Sequence, residues 1–353
     1  MPLISIVVPV YHNAGSLADL LAKFQALAGK NLSDTFEFIF VDDGSKDDSL
    51  AVLLALAKSE PRIRIIKLSR NFGSNPAIMA GMSQSHGSAV AVIAADLQDP
   101  PELIHDMLQH WRDGKKVVLA ARQERDDPGI ISLMADLFYM LFRRFAIKSM
   151  PKRGFDFFVI DRQVCDLVNV IQENNAYLMG LILWLGFNPH VIYYHRRERE
   201  KRYGVSMWTF AKRLKYFVDS FVAFSYFPVR AASILGISLS LIGLLYALIV
   251  IVGRLISGIK VEGWTSLMVV LLVVSGSQML IMGILGEYLW RNLDETRKRP
   301  RYIIERMFDS AGTVPPHALL EAEASEATPV TDAANNPAAQ PVTILDESGM
   351  REA

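Results

Sequence analysis

Two stretches of the chain, Ala231–Val252 and Trp264–Leu285, contain no charged residue. Each is about 22 residues long, enough for one helix to cross roughly 30 Å of hydrocarbon. Both are rich in Gly and Ser, which allow helices to pack closely. The connector, Gly253–Gly263, is too short to form a domain, so the pair is expected to be a helical hairpin. Lys212, Arg213, Lys215 and Arg230 precede the first stretch, and Arg291, Arg297, Lys298, Arg299 and Arg301 follow the second. The connector carries only Arg254 and Lys260. This bias places both termini on the cytoplasmic side of a membrane. A hydrophobic content of 51% fits a membrane portion.

The hairpin sets the expected domain boundaries: an α/β domain over 1–207, an interfacial helix over 208–228, two spans over 229–290, a basic cytoplasmic segment over 291–310 and a tail over 311–353. Trp208–Phe227 mixes aromatics with Lys212, Arg213 and Lys215, a pattern suited to lipid head groups. Ile130–Ile147 is similar, and fits either a lipid surface or an amphipathic helix packed on the α/β domain. The tail from Ala311, rich in Ala, Pro, Thr and Glu without periodicity, is expected to be disordered. Met1–Val10 has no basic leader and carries Pro9, so it is expected to be a strand and not a secretory signal.

Composition excludes several classes. A formal net charge of +0 argues against a general nucleic-acid binder. The single cysteine, Cys165, excludes an internal disulfide and a thiolate zinc site.

Before the hairpin, short apolar runs alternate with helix-like segments. Leu3–Val8, Phe36–Val41, Ile63–Leu68, Ala89–Ala94 and Lys116–Ala121 are expected strands. Ser16–Leu27, Asp48–Lys58, Pro76–Ser85 and Pro101–Arg112 are expected helices. Nearly continuous apolar strands are buried on both faces, and alternation with helices predicts a mostly parallel sheet. Ligands bind such sheets at the carboxyl ends of the strands. The polar motifs fall there.

Asp42-Asp43-Gly44-Ser45 follows the second strand. Its carboxylates suit base N–H groups or ribose hydroxyls, and Asp47 or Asp48 suits a helix cap. Asp96-Leu97-Gln98-Asp99-Pro100-Pro101-Glu102 follows the fourth. Asp96 and the Gln98 carbonyl are hard oxygen ligands for Mg²⁺ or Mn²⁺ shared with a diphosphate, and Asp99 is a possible cap partner. Arg70, Asn71, Arg122 and Arg125 sit at neighbouring strand ends, where arginine forks match phosphate oxygens. The basic run His195–Arg202, followed by Gly204, Ser206 and Trp208, lies just before the membrane segment and suits an anionic head group. Dinucleotide, P-loop, serine-elbow and zinc-protease motifs are missing from the sequence.

Pro9-Val10-Tyr11, Val41–Ser45, Arg70-Asn71-Phe72-Gly73, Asp96–Glu102 and Gly154–Arg162 occur in the order found in family 2 glycosyltransferases. The chain resembles the dolichol-phosphate mannose synthase branch, and within it the bactoprenol glucosyltransferases and undecaprenyl-phosphate aminoarabinose transferases. These also carry two C-terminal spans and a Gly-Glu-Tyr like Gly286-Glu287-Tyr288. The resemblance covers roughly Met1 to Arg306.

It implies a Rossmann-like α/β domain of the GT-A type, acting on a nucleotide-sugar donor and a polyisoprenyl (undecaprenyl) phosphate acceptor at the inner membrane. Pro9, Tyr11, Asn13, Asp42, Asp43, Arg70 and Asn71 would line the nucleotide, and Asp96 and Gln98 would hold Mg²⁺ or Mn²⁺. Arg122 and Arg125 would serve the donor phosphates, and Lys201, Arg202 and Ser206 the acceptor phosphate. Membrane lipid is an expected partner, and family members commonly form tetramers, so a homo-oligomer is expected. Three positions depart from the family pattern. Ala94 replaces the first acid of Asp-x-Asp, Asn13 replaces an acid, and Phe158 stands where an arginine is usual. A processive polysaccharide synthase and a non-catalytic scaffold or nucleotide-sugar sensor are the alternatives. Against the synthase, the chain has two candidate spans and no Q-x-x-R-W sequence.

Overall fold

The computed structural model describes residues 1–30, 34–123, 140, 143–144, 147–152, 154–171, 173, 177–195, 227–257, 263–309 and 312–314. Its strands are β1 (Leu3–Val10), β2 (Thr35–Asp42), β3 (Ile63–Leu68), β4 (Ala89–Val92), β5 (Val117–Arg122), β6 (Phe155–Asp161), β7 (His190–Tyr194), β8 (Ile304–Asp309) and β9 (Gly312–Val314). They form one sheet in the order β7-β5-β6-β4-β1-β2-β3-β8-β9. Only β6 and β8 run against the others.

The helices of the sheet domain are α1 (Leu17–Lys30), α2 (Ser49–Ala57), α3 (Ser74–Ser83), α4 (Leu103–Arg112), α5 (Arg162–Val170) and α6 (Leu178–Trp184). The strands are apolar at successive positions because both faces are covered. Ile4, Ile6 and Val8 share one core with Leu17, Leu20 and Phe24 of α1, Leu53 of α2 and Ile104 and Met107 of α4. Phe24 stacks on Phe38 at 5.4 Å. Each such fully buried side chain contributes about 1.5–3 kcal/mol. On the opposite face α3 lies against β1 and β2 so closely that a Cβ on Gly81 would come within 2.3 Å of Val7 Cγ1.

The five strands and four helices expected before the hairpin are all present, with ends shifted by a few residues. The later strands were not anticipated. Gly154–Arg162, treated as a motif, contains β6, which runs antiparallel between β4 and β5 and sets Phe158 opposite both Val92 and Leu119. Phe158 is fully buried. The position where an arginine is usual is therefore part of the core.

Two long helices follow, α7 (Phe227–Ser257) and α8 (Trp264–Thr296). α7 extends past both ends of its uncharged stretch, and α8 extends past the C-terminal end of its own, where Glu287, Arg291 and Glu295 continue the helix. Gly236 on α7 faces Ile281 on α8, where a Cβ would sit 3.5 Å from Ile281 Cδ1. Among the described residues one segment, Val269–Thr296, is long and apolar enough to cross a membrane, and Val229–Gly243 is a shorter apolar segment.

The chain then returns to the sheet. β8 pairs with β3, and β9 pairs with β8. The expected disordered tail thus begins with a short strand, which forms because β8 offers it an open edge. Most of Ile130–Ile147 and nearly all of Trp208–Phe227 lie outside the described residues.

Candidate active site

The carboxyl ends of β1, β2 and β3 are laced together by short polar side chains. The Asn13 N–H donates to Ser49 Oγ at 2.9 Å and the His12 N–H to Ser45 Oγ at 3.2 Å. Asn13 Oδ1 accepts from the Tyr11 N–H at 3.2 Å, so its side chain shapes the turn after β1. The rings of Tyr11 and His12 lie 4.3 Å apart. His12 has φ 56, in the left-handed region that side chains other than Gly rarely adopt. Asp47 Oδ1 accepts from the Ser49 N–H at 3.2 Å, whereas Asp48, at the helix boundary, makes no side-chain cap bond.

Asp42 and Asp43 end β2 and are both buried. Asp42 Oδ1 accepts from the Ser45 N–H at 3.2 Å. Among the described residues nothing hydrogen-bonds its buried Oδ2. Burial pushes the Asp42 carboxyl above its usual range, against the pull of Ser45. Asp43 accepts from the N–H groups of Phe72 at 2.7 Å and Gly73 at 2.9 Å. It therefore clips the turn after β3 to the turn after β2. Burial outweighs those two bonds and raises the Asp43 pKa to about 6.

Gly44 completes the junction. Its φ is +66, and a Cβ there would lie 2.6 Å from the Arg70 carbonyl carbon and 2.8 Å from the Asn71 nitrogen. Only glycine fits both the conformation and the gap. Arg70 and Asn71 are exposed at the mouth. The Arg70 guanidinium lies 4.3 Å from the Phe72 ring centroid.

Beyond β4, Ala94 and Asp96 are partly exposed. Asp96 Oδ1 accepts from the Gln98 N–H at 3.3 Å. Leu97 between them has φ 57. Asp99 Oδ1 accepts from the Tyr194 hydroxyl at 2.5 Å, and α4 starts only at Leu103. Arg122 ends β5, and its Nη2 donates to Asp156 Oδ2 at 2.5 Å. Burial alone would lower the Arg122 pKa, but Asp156, Asp99 and Tyr194 together raise it, so the guanidinium is a fixed positive charge.

The structure thus gathers Pro9, Tyr11, Asn13, Asp42, Asp43, Arg70, Asn71, Asp96, Gln98 and Arg122 along the carboxyl edge of one sheet. Arg125, Lys201, Arg202 and Ser206 lie outside the described residues. Sequence reasoning missed Tyr194, Asp156 and Ser16, whose Oγ donates to the Ala95 carbonyl at 2.7 Å. A strand ending in Tyr-Tyr and an aspartate second in Phe155–Asp161 were the available signals. Asp96 and Gln98 offer oxygen donors suited to a hard cation. Among the described residues no cluster of three or more His, Cys, Asp or Glu could hold a metal by itself.

A largely parallel sheet with acid and arginine turns along its carboxyl edge defines a nucleotide-using α/β enzyme of the GT-A kind. Residues 5–166 match Glycosyl transferase family 2. An uncharacterized glycosyltransferase of Bacillus subtilis, YkcC, is 38% identical over 86% of this chain and 94% of its own length. The bactoprenol glucosyl transferase of Shigella phage SfII is 33% identical over 86% of this chain and 97% of its own. The solved mannosyltransferase of Pyrobaculum calidifontis in complex with GDP-Man and Mn²⁺ covers 63% of this chain and 64% of its own, at 14% identity and TM-score 0.45. This chain belongs to glycosyl transferase family 2, and it is a glycosyltransferase that uses a nucleotide-sugar donor.

Proposed function

We propose that this enzyme transfers a sugar from a nucleotide-sugar to a polyisoprenyl phosphate at the cytoplasmic face of the inner membrane, with α7 and α8 as a two-helix anchor. One observation carries this reading. The family match stops at residue 166, whereas likeness to the phage bactoprenol glucosyl transferase extends over 86% of the chain and 97% of that relative. The shared length therefore takes in the long apolar helices as well as the sheet domain. A lipid-linked acceptor cannot leave the bilayer, and an anchored catalytic domain meets that need.

In this reading Asp42 offers its buried Oδ2 to a donor N–H or hydroxyl, because an unpartnered buried oxygen costs about 1–3 kcal/mol until it is satisfied. Asp43 and Gly44 shape the floor of the nucleotide site, with Pro9, Tyr11, Asn13, Arg70 and Asn71 around it. Asp96 and the Gln98 carbonyl hold Mg²⁺ or Mn²⁺ with the donor diphosphate, and Ala94 leaves the cation one protein carboxylate fewer than Asp-x-Asp would. The cation, when bound, neutralises charge on the leaving diphosphate. Arg122, one arm fixed by Asp156, and Arg125 serve the same group. Lys201, Arg202 and Ser206, between β7 and α7 in sequence, receive the acceptor phosphate.

The acceptor oxygen is ionised at neutral pH and asks little of a general base. It attacks the anomeric carbon, the bond to the nucleoside diphosphate breaks, and that group leaves with the electron pair. Direct displacement inverts the anomeric centre. The enzyme's work is alignment and charge neutralisation. A homo-oligomer, as a tetramer, completes the proposal.

The test is to incubate the purified protein with undecaprenyl phosphate and a panel of nucleotide-sugars and to weigh the lipid product. A sugar-phosphoryl lipid that depends on divalent metal is expected. Asp96→Ala should abolish it while leaving a folded, membrane-bound protein. Near-normal metal-stimulated turnover in Asp96→Ala would remove Asp96 from the site. Nucleotide-sugar binding with no lipid product from any donor would favour the sensor alternative.

A further inference from the structure

The turn that carries Asp96 and Gln98 has Leu97 in the left-handed region, φ 57, where a side chain of this kind is strained. Such a conformation persists only where the surroundings over-determine it. The turn is fastened on both sides. Immediately before Asp96, the Ala95 carbonyl accepts from Ser16 Oγ at 2.7 Å, in a buried contact. Immediately after Gln98, Asp99 accepts from the Tyr194 hydroxyl. Asp99 is 1% exposed and Tyr194 8%.

Both fastening points are themselves anchored. Ser16 precedes α1, its N–H donates to the Asn13 carbonyl at 3.0 Å and its carbonyl accepts from the Leu20 N–H at 2.9 Å. Tyr194 is the register partner of Arg122 across β5 and β7, and its carbonyl accepts from the Gln123 N–H at 2.9 Å. Its ring packs edge-on to Phe157 with centroids 6.4 Å apart. The Tyr194 hydroxyl donates to Asp99 Oδ1, and both lie close enough to Arg122 to interact with its charge.

We propose that Ser16 and Tyr194 are positioning residues, a two-point clamp that holds the Asp96–Gln98 turn in its strained shape and so presents the Asp96 carboxylate and the Gln98 carbonyl together to a divalent cation and the donor diphosphate. The proposal rests on the reading of Asp96 and Gln98 given above. One fastening comes from the turn between β1 and α1 and the other from the far edge strand β7. The turn is therefore stretched between parts of the sheet that β5, β6 and β4 separate, and neither clamp alone fixes it.

The experiment uses the full-length protein in nanodiscs, with Tyr194→Phe, Ser16→Ala and the double variant. Tyr194→Phe keeps the ring against Phe157 and removes only the hydroxyl. Hydrogen exchange of the amides of 96–99 is measured without ligand. Mn²⁺ retention with a nucleoside diphosphate is measured by electron paramagnetic resonance. Exchange in the turn should rise about ten- to a hundredfold in Tyr194→Phe and further in the double variant. Mn²⁺ affinity should fall about tenfold or more, with metal-free nucleotide binding unchanged. Asp99→Asn, which keeps an acceptor for the Tyr194 hydroxyl, should retain more of the protection than Tyr194→Phe does. Unchanged exchange in the double variant, or unchanged Mn²⁺ retention despite faster exchange, overturns the clamp. If the wild-type protein retains no Mn²⁺ with any nucleoside diphosphate, the metal reading of the site falls, and the exchange data still decide whether Ser16 and Tyr194 hold the turn.

Discussion

Arg122 and Tyr194 face each other across β5 and β7, and from that one rung they reach two different acids. Arg122 donates to Asp156 on β6, and Tyr194 donates to Asp99 beyond β4. The carboxyl ends of β4, β5 and β7 and the amino end of the antiparallel β6 are thereby tied together on one side of the site. Arg122→Ala should break that tie as well as remove a phosphate ligand. Asp156 is half-exposed, so the stability loss is modest, about 1–2 kcal/mol. Nucleotide affinity should fall about tenfold or more. Chemical denaturation and calorimetry with the nucleoside diphosphate separate the two effects. A destabilised variant with unchanged nucleotide affinity would make Arg122 a structural residue only.

Gly44 is where the turns after β2 and β3 meet. Gly44→Ala puts a methyl group 2.6 Å from the Arg70 carbonyl carbon at a φ of +66. Strain and displacement of Arg70 and Asn71 should cost about 1–3 kcal/mol. Since those two residues line the proposed nucleotide site, affinity should fall along with the unfolding temperature. Wild-type nucleotide binding in Gly44→Ala would place the donor away from this junction.

The sheet before α7 was legible because its strands are buried on both faces and its turns carry acids, glycine and arginine at the strand ends. Asp42, Asp96 and Arg122 could be picked out on that basis. Asp43 was legible as a strand-end acid, but its visible task, accepting the Phe72 and Gly73 N–H groups, depends on how two turns pack. Asp99 looked like a helix cap because it precedes two prolines. Its partner Tyr194 lies 95 positions away, a separation that local spacing does not reveal. β8 escaped notice for a related reason. Ile304–Asp309 is short and mixed in polarity, and it becomes a strand only because the edge of β3 is available to it.

Asp43 also gives the fold a signature in pH. Its pKa rises from 3.8 to about 6 on folding, chiefly through burial. Between those values the folded protein holds a proton that the unfolded chain has released. Stability from this group is full below about 3.8 and is lost as pH rises through about 6. Glu60, lowered to about 2 mainly by its hydrogen bonds to Arg62, acts in the opposite sense, losing its contribution as pH falls toward that value. Asp43→Asn isolates the first effect. The stability advantage of the wild type over Asp43→Asn should shrink as pH rises from about 4 to about 6. Denaturant midpoints across that range measure it, and an advantage that grows with pH would contradict the assigned direction.

The chain leaves the sheet after β7, at one edge, and comes back at β8, beyond β3. The return is well fastened. The Ser69 N–H donates to the Ile303 carbonyl at 3.0 Å, the Tyr302 hydroxyl to Ser83 Oγ at 3.0 Å, and Lys67 pairs with Glu305 at 2.8 Å. Arg301 donates to the Ile171 carbonyl at the end of α5. A segment bonded into the sheet lies on the same side of a membrane as the sheet, so α7 and α8 must cross an even number of times between them, as a hairpin does. In the proposed topology, basic residues at the outer ends put that side in the cytoplasm. Single cysteines in a Cys165→Ser background test this. Cys165 is the single cysteine of the sequence, so this background carries no thiol of its own. Lys260→Cys in the connector should react with an impermeant maleimide added to intact cells, and Ser325→Cys in the tail should react only after the membrane is opened. Labelling of Ser325→Cys from outside would refute the cytoplasmic placement. Protection of Lys260→Cys in intact cells, with labelling after lysis, would mean that the two helices do not cross.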